Sequence, residues 1–207
     1  QGCYLHVERE DGTEREIQVR LIDELSMPHQ AGDGAAVQRV VVSLRAAQPH
    51  WYDPTATLWT YNVSGGVGSF GFPVGFPVGF GVSVIDVTET RTYPGHVDVR
   101  PVIRVTGPAT NLVIENVTLG KKLDLSLYTI ATDEVVTFDL TGKSPKVTSS
   151  VVGPILEYLS EDSHLGTFSI AAHPRVTGGR NRIRVYLEDA TNTTEAVIQF
   201  NALYAGA

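Results

Sequence analysis

From Tyr93 to Leu140 apolar and polar residues alternate in runs of strand length. Val97 to Val105, Leu112 to Val117, Leu123 to Ile130 and Val135 to Leu140 are separated by Gly107-Pro108, by Gly120 and by Thr132-Asp133-Glu134. Leu123, Leu125 and Leu127 alternate with Lys122, Asp124 and Ser126. Val97 and Val99 are followed, after a shift at Pro101, by Ile103 and Val105. Successive strand side chains point to opposite faces, so a period of two predicts a sheet with one buried and one solvated side. No window in this stretch sustains a helical apolar period over three turns, and the β-branched content agrees with strands. The four runs read as an antiparallel meander.

The flanking chain extends the pattern. Gly2 to Glu8 and Glu14 to Ile22 flank Asp11-Gly12, the signature of a hairpin whose turn needs a positive φ. Residues Asp23 to Ala35 have no period and contain Pro28, Gly32 and Gly34, which predicts an exposed loop. Strands follow over Val37 to Ala46 and Thr55 to Asn62, with a Pro49-to-Pro54 corner between them that carries Trp51 and Tyr52. Next comes a direct repeat, Phe72-Pro-Val-Gly75 and Phe76-Pro-Val-Gly79, closed by Phe80. Proline at every fourth position removes backbone donors and excludes helix or central strand, so this segment reads as an extended connector. Beyond Leu140, strands are predicted over Lys146 to Ser150, Leu165 to Ile170, Ile183 to Leu187 and Ala196 to Tyr204. Val152 to Leu159 reads as a mixed apolar run.

Turn signals every 8 to 12 residues or so suit an all-β antiparallel sandwich or jelly roll better than an α/β enzyme. The Phe-Pro segment marks the candidate domain boundary, dividing the chain into residues 1–85, with that connector at their end, and 86–207.

Composition narrows the function classes. The 207 residues are 42% apolar and 19% charged, a globular balance, and the single cysteine, Cys3, excludes an internal disulfide framework. The net charge of -7 argues against gripping nucleic acid by neutralising phosphates, though an acidic wall lets DNA pass without sticking. No apolar run reaches the roughly 18 residues of a membrane span.

Catalytic and cofactor signatures are weak. Gly66-Val-Gly68-Ser-Phe-Gly71 has dinucleotide-type spacing, but Phe-Pro repeats follow where a helix N-terminus is needed to hold pyrophosphate. His6, His29, His50, His96, His164 and His173 are dispersed without ligand spacing, and no G-x-S-x-G is present. No catalytic, cofactor or metal residue is assigned. Asn62, Asn116 and Asn192 begin Asn-x-Ser/Thr triplets and read as turn and strand-edge residues.

Taken in order, several segments resemble the distal tail proteins of long-tailed (siphovirus-like) bacteriophages. They are YLHVEREDGTEREIQVRLI, VVVSLRAAQPHWYDP, FPVGFPVGFG, YPGHVDVRPVIRVTGPATNLVIENVTLGKKLDL and GGRNRIRVYL with its terminal Ala-Leu-Tyr-Ala-Gly. The resemblance implies a non-enzymatic virion component whose first domain joins a hexameric ring at the distal end of the tail tube. It implies a galectin-like sandwich outside that ring, and contacts with the tail tube protein and with tail-tip or receptor-binding proteins. DNA would pass through without specific binding. The resemblance also implies that residues 1–85 are the C-terminal part of a larger ring-forming domain. Trp51, Tyr52, Phe72, Phe76 and Phe80 are the candidate subunit contacts. The alternative is a carbohydrate-binding sandwich, for which Trp51 and Trp59 are the available stacking residues, both expected before the galectin-like part.

Overall fold

The computed structural model describes residues 3–22, 42–62 and 84–206. In chain order the strands are β1 (Cys3–Glu8), β2 (Glu14–Leu21), β3 (Leu44–Ala46), β4 (Trp51–Tyr52), β5 (Thr57–Asn62), β6 (Ile85–Thr92), β7 (Val102–Thr106) and β8 (Thr110–Asn116). They continue with β9 (Lys121–Leu125), β10 (Val135–Asp139), β11 (Lys146–Ser149), β12 (Gly153–Pro154), β13 (Arg180–Glu188), β14 (Glu195–Phe200) and β15 (Leu203–Tyr204). The helical content of the described residues is two single 3-10 turns, Leu156–Tyr158 and Thr177–Gly179. The fold is all-β, and every paired strand is antiparallel.

Two compact units divide the chain, Gln1–Thr55 with Leu203–Ala207 and Ala56–Ala202. In the first, β1 and β2 form the hairpin that Asp11-Gly12 predicted, in register from Cys3 opposite Val19 to Glu8 opposite Glu14. Gly12 takes φ +78°, which an L side chain rarely adopts, and Asp11 accepts from the Thr13 amide at 2.9 Å. β3 and β4 pair with β2, and β15 pairs with β4.

The second unit is a β-sandwich of a six-stranded sheet, β12-β11-β10-β7-β14-β5, and a four-stranded sheet, β6-β13-β8-β9. Alternation puts Ile103, Val105, Phe138 and Ile198 of the first sheet, and Ile114, Leu123, Ile183 and Val185 of the second, in full burial. Each such side chain contributes on the order of 2 kcal/mol by leaving water. Tyr93, just after β6, meets Phe200 of β14 edge-on across the two layers at 5.5 Å. Trp59 of β5 meets the same ring at 4.9 Å.

The opening alternation produced the expected strands but not the expected neighbours. β8 and β9 remain a hairpin, whereas β7 pairs with β10 and β14, and β8 with β13, so the chain changes sheets between β7 and β8 and again between β9 and β10. The two crossings are tied together. Ala109 and Ile130 exchange backbone hydrogen bonds of 3.0 and 2.8 Å, and a Cβ on Gly107 would lie 2.2 Å from the Ala131 carbonyl oxygen. A meander is therefore replaced by a sandwich crossing that Gly107 makes sterically feasible.

Other expectations shift locally. Val99 makes only an isolated bridge with Ile170, and Leu165 to Ile170 is a turn over Leu165 to Thr167 that ends in that bridge. Thr57–Asn62, expected with the first domain, pairs along its length with β14, Trp59 opposite Ile198 and Tyr61 opposite Ala196. Trp59 thus belongs to the sandwich, contrary to the placement read from sequence. The part of the Val37-to-Ala46 strand before residue 42 lies outside the described residues.

Candidate functional site

Of the sequence-predicted contact residues, Trp51 and Tyr52 form β4 in the first unit and are half-buried. Tyr52 pairs with Leu203 and its hydroxyl donates to Glu16 Oε2 at 3.2 Å. Burial, followed by that bond to a carboxylate, pushes its pKa up to about 12. Phe72, Phe76 and Phe80 lie outside the described residues, as do the glycine motif at 66–71 and the loop at 23–35.

Beside the β1–β2 turn is a pocket of about 420 Å³ lined in part by Arg9, Asp11, Thr13, Arg15, Asp53 and Tyr204. The Arg15 guanidinium lies 3.8 Å from the Tyr204 ring centroid and donates to the Gly206 carbonyl. Arg15 is thereby committed to holding the strand ends together. Among the described residues no group of three or more His, Cys, Asp or Glu side chains is placed to hold a metal ion. His6 stands against Glu16 at 3.4 Å, and His164 Nδ1 accepts from the Lys122 amide at 3.3 Å. These two histidines each have a local structural partner.

The best-built surface in the second unit was not singled out by sequence. At its base is Glu134, 3% exposed. Its Oε2 accepts from the Ala131 amide at 2.7 Å, and its Oε1 from the Tyr128 hydroxyl at 2.5 Å and from the Ser149 hydroxyl. Ser149 Oγ also accepts from the amides of Val151 and Val152 at 3.0 and 3.1 Å. One carboxylate therefore ties the β9–β10 connection, through Tyr128 and Ala131, to the end of β11 at Ser149. Burial pushes its pKa up, but the bonds from Ser149, Tyr128 and Ala131 outweigh that and hold it below the ordinary glutamate value.

Above this network apolar side chains point into water. Leu127 is 69% exposed, Val151 73%, Val152 61% and Leu156 53%. Tyr128 and Tyr158 pack at 5.2 Å between ring centroids. Alternation had assigned Leu127 to the buried face of a strand running to Ile130. Asp124 Oδ1 instead accepts from the Ser126 amide at 3.2 Å, turning the chain and ending β9 at Leu125. Val152 to Leu159 splits into β12 and a 3-10 turn with no buried residue. The usable sequence signal was Val151-Val152-Gly153, two β-branched residues directly before a glycine, here at φ +92°.

No protein-family model, curated protein or solved structure matches this chain. Several rigidly held, exposed apolar side chains are suited to being covered by another protein surface.

Proposed function

We propose that this protein is a structural, non-enzymatic assembly component, and specifically a distal tail protein of a long-tailed bacteriophage that forms a hexameric ring at the end of the tail tube. In this reading the second unit is the galectin-like sandwich, and tail-tip or receptor-binding proteins are its partners. The ring and its contact with the tail tube protein belong to the first unit. DNA passes the ring without specific binding.

The observation that carries the reading is the set of exposed apolar side chains Leu127, Val151, Val152 and Leu156, the first three adjoining Tyr128 and Ser149, which Glu134 holds in place. Loops ordered by a buried polar network present their apolar side chains at a reduced entropy cost to a partner. The ordered series of sequence segments supplies the particular family. A sugar-stacking role loses one of its two tryptophans, because Trp59 is 5% exposed and packed on Phe200.

Negative-stain electron microscopy of the full-length protein tests this. Rings with a central hole support the assignment. Monomers alone, by light scattering over a wide concentration range, would overturn it.

A further inference from the structure

On β13 the residues Asn181, Ile183 and Val185 are fully buried, so Arg180, Arg182 and Arg184 stand together on the outer face of the four-stranded sheet. Register places Thr92, Thr90 and Thr88 of β6 directly beside them, and all three threonines are exposed. Arg184 is held by Asp86, with its Nε and Nη2 2.8 and 3.0 Å from the two carboxylate oxygens. Arg180 and Arg182 are exposed, and neither has an ion-pair partner among the described residues. On the other side of the strand, Glu115 is opposite Arg184, and Val117 and Thr118 adjoin Arg182. The acidic groups of this face thus gather at the Arg184 end, leaving two guanidinium groups and a row of hydroxyls at the other.

We propose that Arg180 and Arg182, with Thr90 and Thr92, form a binding site for a phosphodiester-linked polyol or sugar chain lying along β13. Side chains two apart on a strand are about 6.6 Å apart at the backbone. That is close to the separation of successive phosphates in an extended phosphodiester chain. Guanidinium groups pair with phosphate oxygens, and threonine hydroxyls hydrogen-bond the hydroxyls between them. Nucleic acid is the poorer fit. Binding of single strands relies on aromatic platforms, and the aromatic on this face of β13, Tyr186, is committed to Glu188 at the acidic end. The inference rests on residue placement and does not depend on the tail-component reading.

The test is binding of fluorescently labelled poly(glycerol phosphate) to the full-length protein at low salt, beside uncharged dextran and a ten-residue oligothymidylate. The expected result is binding of poly(glycerol phosphate) alone, with log affinity falling by about 1.5 per log unit of salt, as two phosphate contacts require. The double substitution Arg180→Gln and Arg182→Gln should weaken it at least tenfold, with thermal melting unchanged because both side chains are exposed. Arg45→Gln, in the first unit, should leave it unchanged. No binding at low salt, equal binding of oligothymidylate, or binding unaffected by the double substitution would each overturn the proposal.

Discussion

The hydroxyl of Tyr128 donates to Oε1 of Glu134 at 2.5 Å, joining the end of β9 to the turn that begins β10. Glu134 is the shared acceptor of three donors, the Tyr128 and Ser149 hydroxyls and the Ala131 amide. Glu134→Ala should cost about 3 kcal/mol, since each abandoned buried donor costs roughly 1–3 kcal/mol. Glu134→Gln should cost less, because the amide oxygen still accepts. Urea denaturation measures both, and equal stability of Glu134→Ala and wild type would refute the network's role.

The same carboxylate sets a pH dependence. Its folded pKa lies below its ordinary value, so its stabilising contribution is complete above the unfolded glutamate pKa, near 4.3. That contribution is lost as pH falls through the folded pKa. The melting temperature of the wild type should drop between pH 5 and pH 3 or so by more than that of Glu134→Gln, which lacks the titrating group. Parallel curves would show that other carboxylates account for the acid sensitivity.

Tyr61 presents the opposite case. Tyr61 is 2% exposed and its ring faces Arg91 at 5.7 Å from guanidinium carbon to centroid, yet its hydroxyl has no hydrogen-bond partner among the described residues. Burial foremost pushes its pKa up to about 12. Removing an unpaired buried hydroxyl while keeping the ring should be neutral or stabilising by up to about 1 kcal/mol. Tyr61→Phe is therefore expected to match or exceed wild type in chemical denaturation, and a loss above that size would reveal a bond partner.

Two glycines with similar backbone should respond differently. Gly179 has φ +64°, and a Cβ there would lie 2.2 Å from the Tyr93 carbonyl oxygen. Gly120 has φ +59° with open space around it. Gly120→Ala should cost only the strain of the left-handed conformation, about 1 kcal/mol. Gly179→Ala adds a backbone clash beside the buried Asn181 amide, which donates to the Gly179 and Ala171 carbonyls, and should cost several-fold more. Comparing the two melting temperatures decides the matter.

The exposed apolar loops are tested by charge. Val151→Asp with Leu156→Glu replaces surface side chains that are mostly in water already, so monomer stability should change by less than about 0.5 kcal/mol. Co-purification with a tail-tip partner should be lost. Retained co-purification would remove this surface from the proposed function.

Much of the architecture was readable from residue order. Asp11-Gly12 marked the first hairpin, and the alternation of Leu123 with Leu125 marked β9 and its buried face. The candidate surface was less accessible. Leu127 continued the alternation that made its neighbours core, and only the Asp124-to-Ser126 bond revealed that the strand had already ended. Trp59 was misplaced for a related reason, since β5 adjoins the first unit in sequence while its partner, β14, lies more than 130 residues away.

Residue order alone determined that this protein is all-β, where most of its strands lie and which side chains enter a core, because a period of two depends only on the geometry of each strand. Tertiary structure alone decided which strands become neighbours. Backbone hydrogen bonds do not distinguish one partner strand from another, so the same alternation suits a meander or a sandwich. The choice fell to close backbone approaches such as Gly107 on Ala131, to the packing of Tyr93 and Trp59 on Phe200, and to buried polar links such as Glu134 with Ser149. All of these join residues brought together only by the completed fold.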